Sequence, residues 1–239
     1  VVHRRTARVR VMTGIICLRK PEGITSFQAV RKVRGITGEK KAGHCGTLDP
    51  DATGVLPVML GGATRFLEFL PTTPKQYRAV MKLGVVTDTL DLTGTVLETR
   101  DVSAGREEVL SALGRFRGDI LQVPPMYSAL KVNGQKLCDL ARKGREVERQ
   151  PRPITIHELE LLGMEAEGVR LRVRCSKGTY IRTLCKDIGE ALGCGGCRAL
   201  HGIARLIMNQ AVVLTVDIET MQIITYLQQF FFIFVGLPI

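Results

Sequence analysis

The sequence predicts an α+β fold built on a largely antiparallel sheet, and three observations support this. Segments that alternate in hydropathy, as strands do, are interleaved irregularly with segments of helical periodicity. The Asn133–Gly134 dipeptide between two extended segments predicts a hairpin turn. No regular strand–helix–strand rhythm runs along the 239 residues, which disfavours a parallel doubly wound sheet.

Three segments show helical periodicity. Thr25 or Ser26 is expected to cap the first, in which Phe27, Val30 and Val33 share one face. The two later helices are predicted from apolar stripes at Val109, Leu113 and Phe116, and at Ile181, Leu184, Ile188 and Leu192.

Strands are predicted for residues 77–84, 154–162 and 168–175. The last segment alternates strictly, with Val169, Leu171, Val173 and Cys175 on one face and Arg170, Arg172 and Arg174 on the other. Such an arginine face either contacts phosphates or is simply solvated, and the sequence leaves both alternatives open.

The charge is strongly basic, with a formal net charge of +11 and a pI near 9.6. All 34 Lys and Arg residues lie within residues 1–205, whereas Asp217 and Glu219 are the charged residues after Arg205. A basic body of this kind is typical of proteins that bind polyanions such as nucleic acid, although a solubility surplus gives the same composition.

The cysteines and the two ends of the sequence favour a cytoplasmic protein. Seven scattered cysteines, without an apolar N-terminal segment, indicate reduced thiols. The pair Cys194 and Cys197 lacks a second pair to complete a structural zinc site, so ordinary thiols are the favoured interpretation. Residues 220–239 are uncharged but contain three glutamines, which predicts a core or interface segment rather than a membrane span.

Asp49 is the first candidate for a catalytic residue. It lies in the segment GTLDPDATG, between Gly46 and Gly54, where a carboxylate can meet a ligand closely. An aspartate can act as a nucleophile or general base, but Asp-Pro is also a common turn opener. Asp49, Asp51 and Thr53 also match the D-x-D-x-T pattern of aspartyl-phosphate phosphatases, although no buried strand precedes them.

Tyr77 and Tyr180 are the main candidates for stacking on a nucleobase, with half-buried packing as the alternative. Arg182 follows Tyr180 by two residues, so both can face one site. His44 either contacts a phosphate or base or has a structural role in its loop. The sequence has neither a phosphate-binding loop nor a dinucleotide fingerprint, so no ATP or dinucleotide site is expected.

Taken together, these stretches resemble the TruB family, the tRNA pseudouridine-55 synthases. The strongest match is AGHCGTLDPDATGVLPVMLGGATR at residues 42–65, against a family pattern GHxGTLDPxAxGxLxxxxGxAT. Further matches occur in the family's order at residues 20–26, 75–94, 122–144 and 175–196. A resemblance of this length makes the phosphatase alternative negligible.

The resemblance implies the pseudouridine-synthase α+β fold and an isomerase that converts the uridine of the TΨC stem-loop (position 55) to pseudouridine. The bond from ribose C1′ to uracil N1 breaks, the base rotates, and C1′ bonds to C5. No cofactor and no catalytic metal are implied. The target base must flip out of its stack to reach a carboxylate.

The resemblance also implies roles for individual residues. Asp49 matches the catalytic aspartate, which either attacks the sugar, attacks the base or abstracts a ribose proton. Tyr77 matches the tyrosine that stacks on the target base, and Arg182 matches the arginine that pairs with the aspartate.

The other predicted substrate-binding residues are Tyr180, His44 and Lys20. Tyr180 matches an aromatic residue that lines the pocket, and His44 a histidine that holds the flipped nucleotide. Lys20, with Pro21, matches a loop that supports the pocket floor.

We expect a catalytic domain at residues 1–205 and a short C-terminal segment at 206–239, too short for the RNA-binding PUA domain of many relatives. The family commonly has Leu-Arg-Arg-Thr where this chain continues from Leu200 with His201. A long insertion at residues 122–150 is expected to close over RNA with the basic residues Lys131, Lys136, Arg142, Lys143, Arg145, Arg149 and Arg152.

The expected partner is the tRNA TΨC stem-loop. No membrane and no obligate protein partner are expected, and the chain is predicted to be monomeric. An RNA-binding or tRNA-folding chaperone without turnover is the alternative function, which the presence of Asp49, Tyr77 and Arg182 together disfavours.

Overall fold

The computed structural model describes residues 12–69 and 74–199, together with the backbone of residues 203–206, 213–217 and 223–226. The first elements are β1 (Gly14–Lys20), α1 (Ser26–Thr37), β2 (Ala42–His44), β3 (Thr53–Leu60) and a 3-10 helix (Gly61–Phe69). They are followed by β4 (Lys75–Leu83), β5 (Val85–Thr87), β6 (Val96–Thr99), α2 (Arg106–Gly114), β7 (Gly118–Gln122), β8 (Lys131–Val132), β9 (Gln135–Lys136) and α3 (Leu137–Ala141). The last are β10 (Arg152–Glu165), β11 (Gly168–Cys175), α4 (Ile181–Ala191), β12 (Gly196–Arg198), β13 (Ile203–Leu206), β14 (Val213–Asp217) and β15 (Ile223–Tyr226).

The chain divides into two compact units. Unit 1 comprises the described residues of Val1–Pro71 and Met208–Ile239, and unit 2 those of Thr72–Ile207. In unit 1 the strand order is β15-β14-β1-β3-β2, in which β1 and β14 are parallel and the other neighbours antiparallel. In unit 2, β4 pairs with β11 on one side and with β12 and β13 on the other, and β10 and β7 follow β11, all antiparallel.

The start of α1 follows the predicted capping pattern. The Thr25 hydroxyl accepts a hydrogen bond from the Gln28 N–H at 3.1 Å, and the Gln28 side chain accepts one from the Thr25 N–H at 2.7 Å. This reciprocal pair is a capping box, which satisfies two N–H groups at the helix start.

The face that α1 buries differs from the predicted one at Phe27, which is 59% exposed. The buried residues are Ser26, Ala29, Val30 and Val33, which have the spacing i, i+3, i+4 and i+7. Phe27 is turned by about 100° from Ser26, away from this stripe. The stripe packs in a cluster with Leu18 of β1 and with Leu56, Val58 and Leu60 of β3.

In unit 2, α2 and α4 contribute to one core with β4, β10 and β11. The predicted stripe residues Val109, Leu113, Leu184 and Ile188 are all fully buried. Phe116 lies beyond the end of α2 at Gly114 and packs against the core only partly.

The arginine face of β11 is paired with glutamates of the neighbouring strand. Arg174 and Arg172 form ion pairs with Glu158 and Glu160 of β10 at 2.7 and 2.5 Å. Arg170 pairs with Glu165 at 2.8 Å. Because each arginine faces an acidic partner, this surface is charge-balanced, which favours the solvated alternative over phosphate binding.

The insertion at residues 122–150 contains the predicted hairpin. Asn133 and Gly134 have φ values of 50° and 79°, as a two-residue turn between β8 and β9 requires. Most of its basic side chains are exposed: Lys131, Lys136, Arg142, Lys143 and Arg145. Among the described residues, two arginines of the insertion have acidic partners: Arg142 pairs with Asp139 at 3.3 Å, and the half-buried Arg149 pairs with Glu146 at 2.8 Å.

The cysteines of unit 2 are core residues, apart from the half-buried Cys138. Burial raises the pKa of the Cys197 thiol to about 11 and that of Cys185 to about 12. Both thiols are therefore protonated near neutral pH. Within the described parts of the chain, no group of three or more His, Cys, Asp or Glu residues is placed to hold a metal ion.

The predicted α+β class, with a mostly antiparallel sheet and flanking helices, is confirmed. None of the helices in the described ranges is long and apolar enough to span a membrane. The predicted boundary at residue 205 stays a prediction. Apart from the strands named above, the segment at 206–239 lies outside the described residues, as do His201 and Gly202.

Candidate active site

Asp49 lies in the loop that joins β2 to β3 and is half-buried. Gly46 opens this loop with φ +82°, a left-handed conformation that glycine adopts without strain. The Ala52 N–H donates to the Asp49 carbonyl at 3.1 Å and closes a tight turn. The hydrogen bond that closes this turn joins two main-chain atoms. Asp49 can therefore open the turn and also act through its carboxylate in catalysis.

Lys20, at the end of β1, holds this turn from inside the protein. Its side chain is fully buried, and Nζ donates to the carbonyl oxygens of Pro21, Ile24 and Pro50 at 2.8, 2.7 and 2.9 Å. All three ammonium donors are thereby used on main-chain carbonyls. One of these carbonyls belongs to the residue that follows Asp49.

Burial lowers the pKa of the Lys20 ammonium, and the nearby carboxylates of Asp51, Asp49 and Glu22 oppose this shift. A buried cation is tolerated here because carbonyl oxygens and nearby carboxylates compensate its lost hydration. Lys20 therefore contributes a positive charge beside Asp49 as well as the hydrogen bonds that fix the loop.

Ser26 fixes the residue on the other side of Asp49. Its hydroxyl accepts from the Leu48 N–H at 2.9 Å and donates to the Leu48 carbonyl at 3.1 Å. Ser26 is 2% exposed, so water does not readily replace these bonds. The main chain is thus held by a buried side chain both immediately before and immediately after Asp49.

His44, the last residue of β2, makes a hydrogen bond within the same loop. Its Nδ1 lies 2.5 Å from the Gly46 carbonyl oxygen. Because a carbonyl can only accept, Nδ1 carries the hydrogen, and Nε2 of the neutral ring is an acceptor. The predicted residues Lys20, His44 and Asp49 therefore belong to one loop cluster of unit 1.

Tyr77 lies on β4 in unit 2, half-buried against the core of that unit. Its register partners are Val173 on β11 and Ala204 on β13. Tyr77 is thus held on a strand with neighbours on both sides, which fixes the position of its backbone.

Arg182 lies in the first turn of α4 and is 7% exposed. Its Nη1 donates to the Thr89 carbonyl at 3.1 Å and to Asp91 Oδ2 at 3.4 Å, and its Nη2 donates to the Tyr127 carbonyl at 2.8 Å. The guanidinium plane is therefore held by acceptors from two separate loops.

Asp91 is a functional candidate that the sequence reasoning missed. It is 4% exposed, and its Oδ2 lies 3.4 Å from Arg182 Nη1 and 3.4 Å from Arg198 Nη2. Its Oδ1 accepts from the Thr89 hydroxyl at 2.8 Å, the Thr93 N–H at 3.1 Å and the Thr93 hydroxyl. One buried carboxylate thus forms ion pairs with two buried arginines.

Tyr180 is the N-cap residue of α4 and is half-buried. Its main-chain N–H and carbonyl both bond to the side chain of Gln122, a second residue that sequence reasoning missed. The structure therefore places Tyr77, Tyr180 and Arg182 in unit 2, and the three remaining predicted site residues in unit 1. The pairing of Asp49 with Arg182 stays a prediction.

A family model for the TruB family pseudouridylate synthase (N terminal domain) matches residues 34–181, more than half of the chain. The chain belongs to the TruB family. The matched range includes His44, Asp49, Tyr77 and Tyr180 and ends one residue before Arg182. Membership confirms the resemblance recognised in the sequence.

Curated relatives of this chain are named tRNA pseudouridine synthase B. That of Stutzerimonas stutzeri is 52% identical over 217 residues, which is 89% of this chain and 70% of the relative. Those of Pseudomonas putida and Clostridium kluyveri are 56% and 51% identical over 78% and 77% of this chain. The chain spans only 61% and 64% of the length of these two relatives.

Solved structures show the same fold. A crystal structure of a Cbf5-Nop10-Gar1 complex matches with 32% identity and a TM-score of 0.61, covering 82% of this chain and 48% of that one. The archaeal box H/ACA sRNP Nop10-Cbf5 complex matches with 27% identity and a TM-score of 0.60, covering 91% and 55%. Together with the family match, these similarities confirm the predicted pseudouridine-synthase fold.

Proposed function

We propose that this chain isomerises uridine to pseudouridine in tRNA, at the uridine of the TΨC stem-loop (position 55). The observation that carries the proposal is the construction of the Asp49 loop. Buried side chains fix the main chain on both sides of Asp49, through Ser26 at Leu48 and Lys20 at Pro50. The names of the curated relatives support the reaction and its tRNA substrate.

The proposed reaction rearranges bonds within one nucleotide. The C1′–N1 glycosidic bond breaks, the detached uracil rotates, and C1′ bonds to C5. N1 gains a proton, and C5 releases its hydrogen to solvent. No electrons and no external group are transferred overall, so the reaction requires neither a redox cofactor nor ATP.

Asp49 is proposed as the essential residue of this reaction. Its carboxylate attacks the sugar, attacks the base or abstracts a ribose proton, and each of these roles requires the ionised form. The Lys20 ammonium places a positive charge near this carboxylate. Arg182 is proposed to pair with Asp49 because it matches the arginine that has this role in the family, and its guanidinium is held by the Thr89 and Tyr127 carbonyls.

The remaining predicted residues are proposed to hold the nucleotide. Once the target uridine has left its stack, Tyr77 stacks on the base and Tyr180 lines the pocket. His44, whose Nδ1 is used on the Gly46 carbonyl, is proposed to contact the flipped nucleotide through Nε2. Lys20 supports the floor of the pocket through its contacts with the loop.

The insertion is proposed to contribute most of the charge that meets the RNA backbone. Within the described residues, the exposed Lys131, Lys136, Lys143 and Arg145 make no ion pair, in contrast to the glutamate-paired arginines of β11. Each phosphate contact releases counterions, so we expect tRNA affinity to fall steeply with salt. Filter binding between 50 and 200 mM salt measures the slope, and Lys131→Gln with Lys136→Gln should reduce it by roughly 1.4 to 1.8 units. A flat response would contradict the electrostatic argument.

Tritium release from tRNA that carries 5-tritiated uridine tests the function directly. We expect the wild-type chain to release one tritium per tRNA and to release none from tRNA in which uridine 55 is replaced by cytidine. Tight tRNA binding without release would favour the alternative, an RNA-binding chaperone without turnover. Monomeric state, independence of a protein partner and a cytoplasmic location remain predictions.

A further inference from the structure

Gln122, the last residue of β7, makes an unusual pair of contacts for a side chain. It is 2% exposed, its Oε1 accepts from the Tyr180 N–H at 2.7 Å, and its Nε2 donates to the Tyr180 carbonyl at 3.2 Å. The Gln122 amide thus bonds to the main chain of Tyr180 in the way that the main chain of a neighbouring β-strand would. Both ends of the Gln122 amide are therefore used on one residue, 58 positions further along the chain.

Tyr180 is the position from which α4 begins. Its side chain makes no capping hydrogen bond, whereas its carbonyl accepts the helical bond from the Leu184 N–H at 3.0 Å. Within the described residues, Gln122 is thus the side chain that anchors the main chain of this N-cap residue. A helix start held at one residue also fixes the direction in which Arg182, two residues later, leaves the helix.

The segment that follows Gln122 contacts the same helix start a second time. The Tyr127 carbonyl accepts from Arg182 Nη2 at 2.8 Å. The root of the insertion therefore bonds to α4 at the main chain of Tyr180 and at the guanidinium of Arg182. A displacement of residues 122–127 would disturb both contacts together.

We propose that Gln122 is a positioning residue for the reaction, which sets the start of α4 and thereby the orientation of Tyr180 and Arg182. This rests on the proposed function. Glutamine suits the task because its amide donates and accepts at once without charge. Glutamate keeps the acceptor but as a carboxylate loses the donor, and methionine keeps the length but neither bond.

A double-mutant cycle tests the proposal, with single-turnover tritium release at saturating enzyme as the rate. We expect Gln122→Met to slow release about 10- to 100-fold while the tRNA dissociation constant changes less than about twofold. If Gln122 acts through Arg182, adding Gln122→Met to Arg182→Lys should slow release only slightly further, because the Arg182 interaction that Gln122 positions is already lost. A purely structural role of Gln122 predicts that the two substitutions act independently, so that the fold-reductions in rate multiply.

The matched control is Thr155→Val. It removes the hydrogen bond of 2.7 Å that the Thr155 hydroxyl donates to Asp119 of the same strand β7, leaves both bonds between Gln122 and Tyr180 in place, and should leave the rate unchanged. If Gln122→Met does not fold, Gln122→Glu serves in its place, with a smaller expected loss of rate. A wild-type rate in the variants, or multiplicative effects with Arg182→Lys, overturns the proposal.

Hydrogen exchange gives a second readout that does not depend on the reaction. In Gln122→Met, the amide of Tyr180 should exchange faster, whereas amides in the centre of α4 should keep their protection. Unchanged exchange at Tyr180 overturns the proposal even if turnover falls. An inactive wild-type chain would overturn the proposed function, and exchange at Tyr180 would still decide whether Gln122 anchors the helix.

Discussion

The positions of Asp49 and Arg182 are fixed in different ways. In the Asp49 loop, buried side chains fix the main chain, with Lys20 on the Pro50 carbonyl and Ser26 on Leu48. At the start of α4, Gln122 likewise holds the main chain of Tyr180, but the Arg182 side chain needs acceptors of its own. The carboxylate of Asp91 and two main-chain carbonyls orient the guanidinium of Arg182.

The difference follows from the number of rotamers that each side chain has. A short carboxylate such as that of Asp49 has few rotamers, so fixing its backbone largely fixes its position. A long arginine has many rotamers, and its head group needs acceptors of its own to lose that freedom. The two regions therefore place opposite charges by the means that each side chain requires.

The largest effect on stability is expected at Asp91. Replacing it by alanine leaves two buried arginines without their shared carboxylate, which should lower the free energy of unfolding by about 3–5 kcal/mol. Urea denaturation measures this, and tritium release should fall as Arg182 loses its orientation. The control is Asp88→Ala in the same loop, where the exposed carboxylate accepts one bond from the Thr95 N–H at 2.8 Å. Equal losses of unfolding free energy in both variants would show that the contacts of Asp91 with the two arginines do not stabilise this region.

A smaller loss is expected for Lys20→Met. The substitution keeps the apolar stem but leaves three carbonyls without their donor, which should cost about 2–3 kcal/mol and slow turnover. Urea denaturation and tritium release are again the measurements. Lys32→Met on the exposed face of α1 is the control and should have no effect. Wild-type turnover in Lys20→Met would show that the Asp49 loop does not depend on its buried cation.

Ser26→Ala tests the other side of the same loop. Loss of both bonds to Leu48 should cost about 1–2 kcal/mol and reduce the single-turnover rate more than the tRNA affinity. Thr37→Val, which removes a hydroxyl bond of 2.8 Å to the Val33 carbonyl at the far end of α1, is the matched control. If both variants react at the same rate, Ser26 contributes to α1 and not to the position of Asp49.

The smallest effect is expected on the arginine face of β11. Arg172→Gln breaks an ion pair with Glu160 whose side chains are 36% and 42% exposed. Exposed pairs contribute little, so thermal melting and tRNA affinity should not change. A clear loss of tRNA affinity would show that this face contacts phosphates, and would restore the alternative that the structure disfavours.

Features that depend on neighbours in sequence could be predicted. The capping box needs only Thr25 and Gln28, the hairpin turn only Asn133 and Gly134, and the glycine-rich Asp49 loop is one continuous segment. The buried face of β11 follows from strict alternation. The prediction that Phe27 is buried was wrong, because an apolar residue near the edge of a helical stripe can be turned out to solvent. Periodicity over less than two turns does not show which residue is at the centre of the stripe.

Contacts between distant residues could not be predicted in this way. Asp91 meets Arg182 across 91 positions and Arg198 across 107, and in the sequence it is one more aspartate in a turn. Gln122 likewise meets Tyr180 only after the sheet and α4 have packed. The residues that react could be proposed from motifs, whereas those that hold them became visible only in the folded chain.

The role of Asp49 is tested most directly by single-turnover tritium release from Asp49→Asn beside the wild-type chain, with tRNA affinity measured on the same samples. Asparagine keeps the shape of the side chain and removes its charge. The proposed function predicts no detectable release with tRNA affinity nearly unchanged. Release by Asp49→Asn at the wild-type rate would contradict it, because the essential carboxylate would then have to lie elsewhere.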